Sequence, residues 1–178
     1  MPACEPLFLL LNTIAVDADF GIEKILALTI ALLALVVSGF VSGSEIAYFS
    51  LTQSQCAELE ESGKGEPILR LLARPEKLLA TILITNNLVN VTIVVLCNFA
   101  LGPVFSSMNP VLSFILQTVI LTFLILLFGE ILPKLYANNY PVRWASVAAP
   151  GINFFMKLFS PLSRLLVRST SIVNRVVT

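Results

Sequence analysis

Oxygen-bearing side chains interrupt three long apolar stretches of this chain, one cluster in each stretch. The first cluster spans residues 38–45, where Ser38 and Ser42 are four residues apart and therefore share a helix face, as do Gly39 and Gly43. Two interpretations stay open: a close helix–helix contact through small residues, or two hydroxyl oxygens that face a polar site. Glu45 lies near the end of the stretch, where it can reach water, and we assign it a structural role.

The second cluster contains three asparagines in an otherwise apolar stretch: Asn86, Asn87 and Asn90. On a helical wheel the three fall within about 100° of one another. A single asparagine inside a membrane is often only a hydrogen-bonding contact between helices. Three on one face indicate a site rich in amide oxygens, and the two interpretations are left side by side.

The third cluster joins Gly129 and Glu130 to Pro133 and Lys134. Proline has no amide hydrogen and its ring clashes with the carbonyl four residues earlier, so the Gly129 carbonyl is predicted to leave the helix ladder beside the Glu130 carboxylate. Free carbonyls at membrane depth are tolerated where they line a cavity or bind a ligand. The alternative is an ion pair between Glu130 and Lys134 at a spacing of four residues.

Together the clusters supply hydroxyls, amide oxygens, a carbonyl and a carboxylate, which is the ligand chemistry of a hard cation such as Mg²⁺ or Ca²⁺. The chain has no histidine, and its three cysteines, Cys4, Cys56 and Cys97, have no pair spacing. Zinc and copper sites, a disulfide framework and most acid–base catalysis are therefore disfavoured. We expect a protein that is not an enzyme.

Membrane-spanning helices must position these clusters. The 178 residues are 57% hydrophobic and 12% charged, with a mean hydropathy of +0.91, whereas a soluble domain carries roughly 25% charged residues. A span needs roughly 20 apolar residues, and residues 25–44, 78–101 and 111–132 qualify. The sequence predicts an all-α integral membrane protein with three transmembrane helices.

Basic residues predict the orientation of the spans. The connection between the first two spans holds Lys64, Arg70, Arg74 and Lys77. Residues 102–110 carry no charge, and the region after the third span is basic throughout. We expect the N-terminus outside and the C-terminus in the cytoplasm. No basic stripe interleaves with aromatic residues, so nucleic acid is not an expected partner.

Short helices are expected around the spans. Residues 52–61 and the segment that starts at Pro67 predict two cytoplasmic juxtamembrane helices. Residues 141–160 are interpreted as a belt-like interfacial helix, with a span kinked at Pro150 as the alternative; residues 161–173 look amphipathic. We expect residues 1–21 to be an extracytoplasmic segment, 22–165 the ion-transport domain and 166–178 the start of a cytoplasmic linker.

The ordered motifs resemble those of a known family. They are Ser42-Gly43-Ser44-Glu45-Ile46-Ala47, Thr85-Asn86-Asn87-Leu88-Val89-Asn90 and Gly129-Glu130-Ile131-Leu132-Pro133-Lys134, with Ala73-Arg74-Pro75-Glu76-Lys77-Leu78-Leu79 before the second span. This set is similar to the transmembrane domain of the cyclin M / CorB–CorC magnesium transporters, over residues 22–165.

The resemblance implies a homodimer that binds a largely dehydrated Mg²⁺ between its spans. The ligands carried over by motif are Ser38 and Ser42, Asn86 or Asn90, the Gly129 carbonyl and Glu130. Supporting roles fall to Gly39, Gly43, Asn87, Pro133 and Lys134. ATP enters that family through cytoplasmic domains that are absent from this sequence.

The functional expectation is Mg²⁺ export across the inner membrane by alternating access, with sodium exchange as the driving force that the resemblance implies. The rival is a membrane scaffold or assembly factor in which the polar clusters only pack helices together. A second rival, an intramembrane enzyme, is disfavoured because this sequence offers no histidine, no nucleophile–base pair and a single deep carboxylate.

Overall fold

Helices make up the folded part of the chain, and a computed structural model describes residues 21–63, 65–105 and 109–163. In chain order the helices are α1 Ile22–Phe49, α2 Gln53–Glu61, α3 Glu66–Leu72, α4 Pro75–Leu101, a 3₁₀ turn Gly102–Phe105, α5 Pro110–Leu124, a π-helical segment Ile125–Ile131, α6 Leu132–Asn139 and α7 Pro141–Leu158. The described residues contain no strand. The predicted all-α class is confirmed.

Three helical rods within the described ranges are long and apolar enough to cross a membrane: Ile22–Phe49, Pro75–Phe105 and Pro110–Asn139. Each contains one of the predicted spans and extends beyond it at both ends. Rods of 28, 31 and 30 residues exceed the roughly 20 that a bilayer core requires. The rods are therefore expected to tilt in the bilayer or to project from it at their ends.

The first span, α1, is central, since it packs along both other spans and also against α7. Small residues allow this close approach. A Cβ added to Gly39 would lie 2.9 Å from Pro133 Cγ and 3.2 Å from the Phe128 carbonyl oxygen. At Gly43 it would lie 2.7 Å from the Trp144 ring and 3.2 Å from the Pro133 carbonyl oxygen. The glycine pair thus contacts the third span, as the small-residue interpretation predicts.

Gly43→Ala is expected to destabilise the protein by about 1–3 kcal/mol, because the added methyl overpacks a closed contact. The Trp144 ring cannot simply move away, since its Nε1 donates to Ser44 Oγ at 3.3 Å. Gly102→Ala is the matched control, because nothing lies within 4 Å of its added Cβ. Thermal unfolding in detergent measures both variants, and equal midpoints for the two would contradict the packing argument.

The third span changes its helical winding around Glu130. Residues Ile125–Ile131 wind as a π-helix, and the Leu132 amide donates five residues back to the Leu127 carbonyl. The next residue, Pro133, has no amide for Phe128, five residues back, or for Gly129, four residues back. Both carbonyls therefore lose the donor that residue 133 would otherwise supply.

The juxtamembrane helices form as predicted. Thr52 caps α2 in a reciprocal capping box with Gln55, and Pro67 lies in the first turn of α3. The last helix, α7, is continuous and runs through Pro150 without a break. It is not among the rods that are long and apolar enough to span a membrane. Tyr48 Oη fixes it to α1 by donating to the Ala145 carbonyl at 3.0 Å.

Three predictions lie wholly or mainly outside the described residues: the extracytoplasmic segment 1–21, the cytoplasmic linker 166–178 and most of the amphipathic stretch 161–173.

Candidate cation site between the three spans

Ser38 is the meeting point of the first two spans. Its side chain is fully buried, and its Oγ lies 3.0 Å from Asn86 Oδ1 and 2.7 Å from Asn90 Oδ1. A serine hydroxyl has one hydrogen to donate, so it satisfies one of these two amide oxygens at a time. Three oxygens therefore converge with a single proton between them.

Glu130 closes the cluster from the third span. The amide nitrogens of Asn86 and Asn90 donate to its Oε1 at 3.4 and 3.5 Å. Both contacts are longer than the usual 2.9–3.0 Å of an N–H···O bond, so the amides hold the carboxylate weakly. The ion pairs found within residues 21–63, 65–105 and 109–163 do not include Glu130. A half-buried carboxylate within a span thus has neutral amides as its partners.

Two further residues, Gly129 and Ser42, lie along the same interface. The Gly129 backbone closely approaches the first span, since a Cβ added there would lie 3.1 Å from Ser38 Oγ. One helical turn along α1 from Ser38, the Ser42 hydroxyl is fully buried and has no hydrogen-bond partner in the described part of the chain. A buried hydroxyl without a partner costs roughly 1–3 kcal/mol, so this oxygen is available to a ligand.

The prediction that Asn87 lies on the same face as the other two asparagines is wrong. Its side chain is exposed, and its Nδ2 donates at 2.9 Å to the Leu83 carbonyl of its own helix. The physical reason is the narrow width of the contact with α1. Residues 86 and 90 are one turn apart and reach Ser38 together, whereas residue 87 is rotated about 100° from residue 86.

The alternative ion pair between Glu130 and Lys134 is also wrong. Lys134 Nζ contacts Glu45 Oε2 on the first span at 3.1 Å. Lys134 therefore pairs across the helices with a carboxylate of the first span and not with the carboxylate four residues earlier in its own span. Glu45 and Lys134 form a partly exposed pair, so among the described residues Glu130 has no cationic partner.

Two apolar clusters enclose the polar residues along the spans. One cluster contains Ala31, Ile93, Cys97, Leu121 and Ile125. The other includes Val41, Tyr48, Leu78, Ile82 and Ala137. On every span the residues of the candidate site lie between a member of each cluster. Along each span the candidate site therefore has an apolar cluster on either side.

The sequence did not predict the π-helical segment, or that the Phe128 carbonyl, like that of Gly129, lacks a donor at residue 133. Pro133 signalled that a carbonyl would be released, but the proline rule assumes α-helical winding and so points to residue 129 alone. Within the described residues no group of three His, Cys, Asp or Glu side chains forms a metal site. Any metal bound here would rely on neutral oxygens and one carboxylate.

Comparisons with a family profile and with individual proteins point to the same family. A sequence profile of the cyclin M transmembrane N-terminal domain matches residues 29–178. A UPF0053 protein of Haemophilus influenzae is 32% identical over 139 residues, which cover 77% of this chain and 32% of that protein.

Two further relatives have similar coverage. The Escherichia coli inner membrane protein YfjD is 28% identical over 143 residues, covering 79% of this chain and 32% of that protein. The Synechocystis protein sll1254 is 28% identical over 152 residues, or 84% of this chain and 42% of that protein. The chain thus spans about a third to two fifths of the length of these relatives.

Proposed function

The chain belongs to the family of the cyclin M transmembrane N-terminal domain, and from that premise we propose that it transports a divalent cation, Mg²⁺, across the membrane. One observation carries the proposal: the Glu130 carboxylate lies between spans with weak amide contacts and no cationic partner in the described residues. A charge inside a membrane is costly and is usually paired. A bound cation would supply the missing positive charge.

The donor set suits Mg²⁺ as the substrate. Mg²⁺ prefers six oxygen ligands at about 2.0–2.1 Å and gives up its water reluctantly. The amide oxygens of Asn86 and Asn90 already lie within 3.0 Å of the Ser38 hydroxyl oxygen, and Glu130 contributes charge. Ser42 and the Gly129 carbonyl complete the proposed set, while Gly39, Gly43 and Pro133 hold the first and third spans together.

We propose alternating access as the mechanism, with export from the cytoplasm and Na⁺ as the counter-ion. The apolar clusters on both sides of the candidate site support this, since each must part in turn for an ion to pass. The protein is proposed to lie in the inner membrane with its N-terminus outside. A second copy of the chain is proposed to cover part of the exposed apolar surface of α4, which includes Leu88, Val91, Val95 and Phe99.

The scaffold hypothesis remains a competing proposal, because the Ser38–asparagine contacts would also hold helices together without an ion. It does not account for the lack, within the described residues, of a cationic partner for Glu130 and of a hydrogen-bond partner for the Ser42 hydroxyl. We propose that the chain is not an enzyme, since a chain without histidine would need another general base beside a nucleophile.

Reconstitution into liposomes that contain a fluorescent Mg²⁺ indicator tests the proposal. We expect Mg²⁺ flux above that of empty liposomes, stimulated by a Na⁺ gradient in the opposite direction. Thermal unfolding in detergent with Mg²⁺ or with a chelator measures binding by the same protein. If Mg²⁺ neither crosses the membrane nor raises the unfolding midpoint, the scaffold hypothesis is correct; flux without a Na⁺ effect would refute the counter-ion alone.

A further inference from the structure

A cavity of about 450 Å³, lined by both polar and apolar residues, lies between α3 and α7 at the membrane face where the second span begins. It shares no residue with the candidate cation site. Its walls include Glu66, Arg70 and Arg74 on one side and Ser146, Pro150 and Asn153 on the other. The packing of Ile68 and Leu71 beneath α7 holds the two walls at a fixed distance.

The α3 side of the cavity has an excess of positive charge. Arg70 forms an exposed ion pair with Glu66 one turn earlier. Arg74 also lines the cavity, and the ion pairs among the described residues do not include it. Two guanidinium groups and one carboxylate leave the cavity with a net charge of plus one. An arginine fork that is not already paired binds phosphate well.

The α7 side supplies neutral hydrogen-bonding groups. Pro150 lies inside α7 and has no amide hydrogen, so the Ser146 carbonyl lacks its usual donor four residues later. Asn153 adds an exposed side-chain amide. This wall can therefore accept from a hydroxyl and donate to an ester or phosphate oxygen.

The position of the cavity points to a lipid and not to a soluble anion. Arg74 immediately precedes Pro75, the first residue of the second span, which is the depth of the lipid headgroups. Beside the cavity, α7 carries an apolar edge on which Val147, Phe154 and Leu158 are 71%, 61% and 56% exposed. A helix with one polar and one apolar exposed edge is typical of the membrane interface. Acyl chains would cover the apolar edge while the headgroup enters the cavity.

We propose that this cavity binds the headgroup of an anionic phospholipid, with Arg70 and Arg74 on its phosphate and the Ser146 carbonyl and Asn153 on its polar substituents. Basic pockets beside spans recognise anionic headgroups in this way. The lipid would join α3 to α7 and so fix the juxtamembrane helices to the end of the second span. The proposal is independent of the proposed transport.

Titration of the purified chain in uncharged detergent tests the proposal, with dioctanoyl phosphatidylglycerol, dioctanoyl phosphatidylcholine and inorganic phosphate as probes. We expect phosphatidylglycerol alone to raise the unfolding midpoint at micromolar-to-millimolar concentration. The double variant Arg70→Gln/Arg74→Gln is expected to weaken this response about tenfold or more. Glu66→Gln removes the competing carboxylate and is expected to strengthen it.

Arg143→Gln is the matched control, because Arg143 is an exposed arginine on α7 that does not line the cavity. It should leave the response unchanged. An equal response to phosphatidylcholine would overturn the charge argument, and an equal response to inorganic phosphate would overturn the lipid. The same loss in Arg143→Gln as in the double variant would overturn the site. If the double variant misfolds, Glu66→Gln still tests the proposal, because a response to phosphatidylglycerol that does not strengthen in this variant would contradict it.

Discussion

Glu130→Gln is expected to abolish the Mg²⁺-dependent rise in the unfolding midpoint and the Mg²⁺ flux into liposomes. The substitution keeps the shape of the side chain and an oxygen that can accept from Asn86 and Asn90, so the protein should fold. It removes the charge that a cation would neutralise. Loss of one partner of a buried charge pair costs roughly 2–5 kcal/mol, which is at least about thirtyfold in the dissociation constant.

The same variant should be as stable as the original protein, or more stable, when a chelator removes the ion. A charged carboxylate within a span is costly, by up to about 2.5–3.5 kcal/mol at the span centre on insertion scales, and a neutral glutamine lowers that cost. Glu45→Gln is the matched control. Glu45 belongs to the first span but pairs with Lys134, so its loss should leave the Mg²⁺ response intact. An unchanged response in Glu130→Gln would remove the central ligand from the proposed site.

The sequence predicted the architecture well because membrane spans obey a simple composition rule. A run of about 20 apolar residues has few alternatives to a helix in a bilayer, and all three predicted spans lie within the observed rods. The convergence of the clusters was harder to predict. It followed from the fact that polar residues in spans face the bundle interior, and the structure brings Ser38, Asn86, Asn90 and Glu130 together.

The remaining details depend on helix rotation, which one sequence does not determine. A 100° wheel sector held all three asparagines, but the contact with Ser38 is narrower than that sector. Pro133 correctly indicated where the third span departs from α-helical hydrogen bonding, but it predicted neither the π-helical segment nor the partner of Lys134. The partner of Lys134 proved to be Glu45, more than eighty residues away, because the register between α1 and the third span is a tertiary property.

The three asparagines provide the sharpest comparison between a cation site and simple helix packing. Asn86→Leu and Asn90→Leu are each expected to weaken the Mg²⁺ response about tenfold, because each removes an amide oxygen beside Ser38 and an amide donor to Glu130. Asn87→Leu changes the same residue type in the same helix. Its side chain donates to the Leu83 carbonyl of its own helix and is exposed, so this control should match the original protein.

Thermal unfolding of the three variants, with Mg²⁺ and with a chelator, separates the two hypotheses. A cation site predicts that Asn86→Leu and Asn90→Leu reduce the difference between the two midpoints, whereas simple packing predicts that both midpoints fall together. In the presence of the chelator, each single variant should also be about 1–3 kcal/mol less stable than the original protein, since the Glu130 carboxylate loses a donor. The double variant Asn86→Leu/Asn90→Leu should lose less of the Mg²⁺ response than the sum of the two single losses. Both amides act through Ser38 and Glu130, and residues in one network are not independent. Strict additivity would mean that the two asparagines do not share a site.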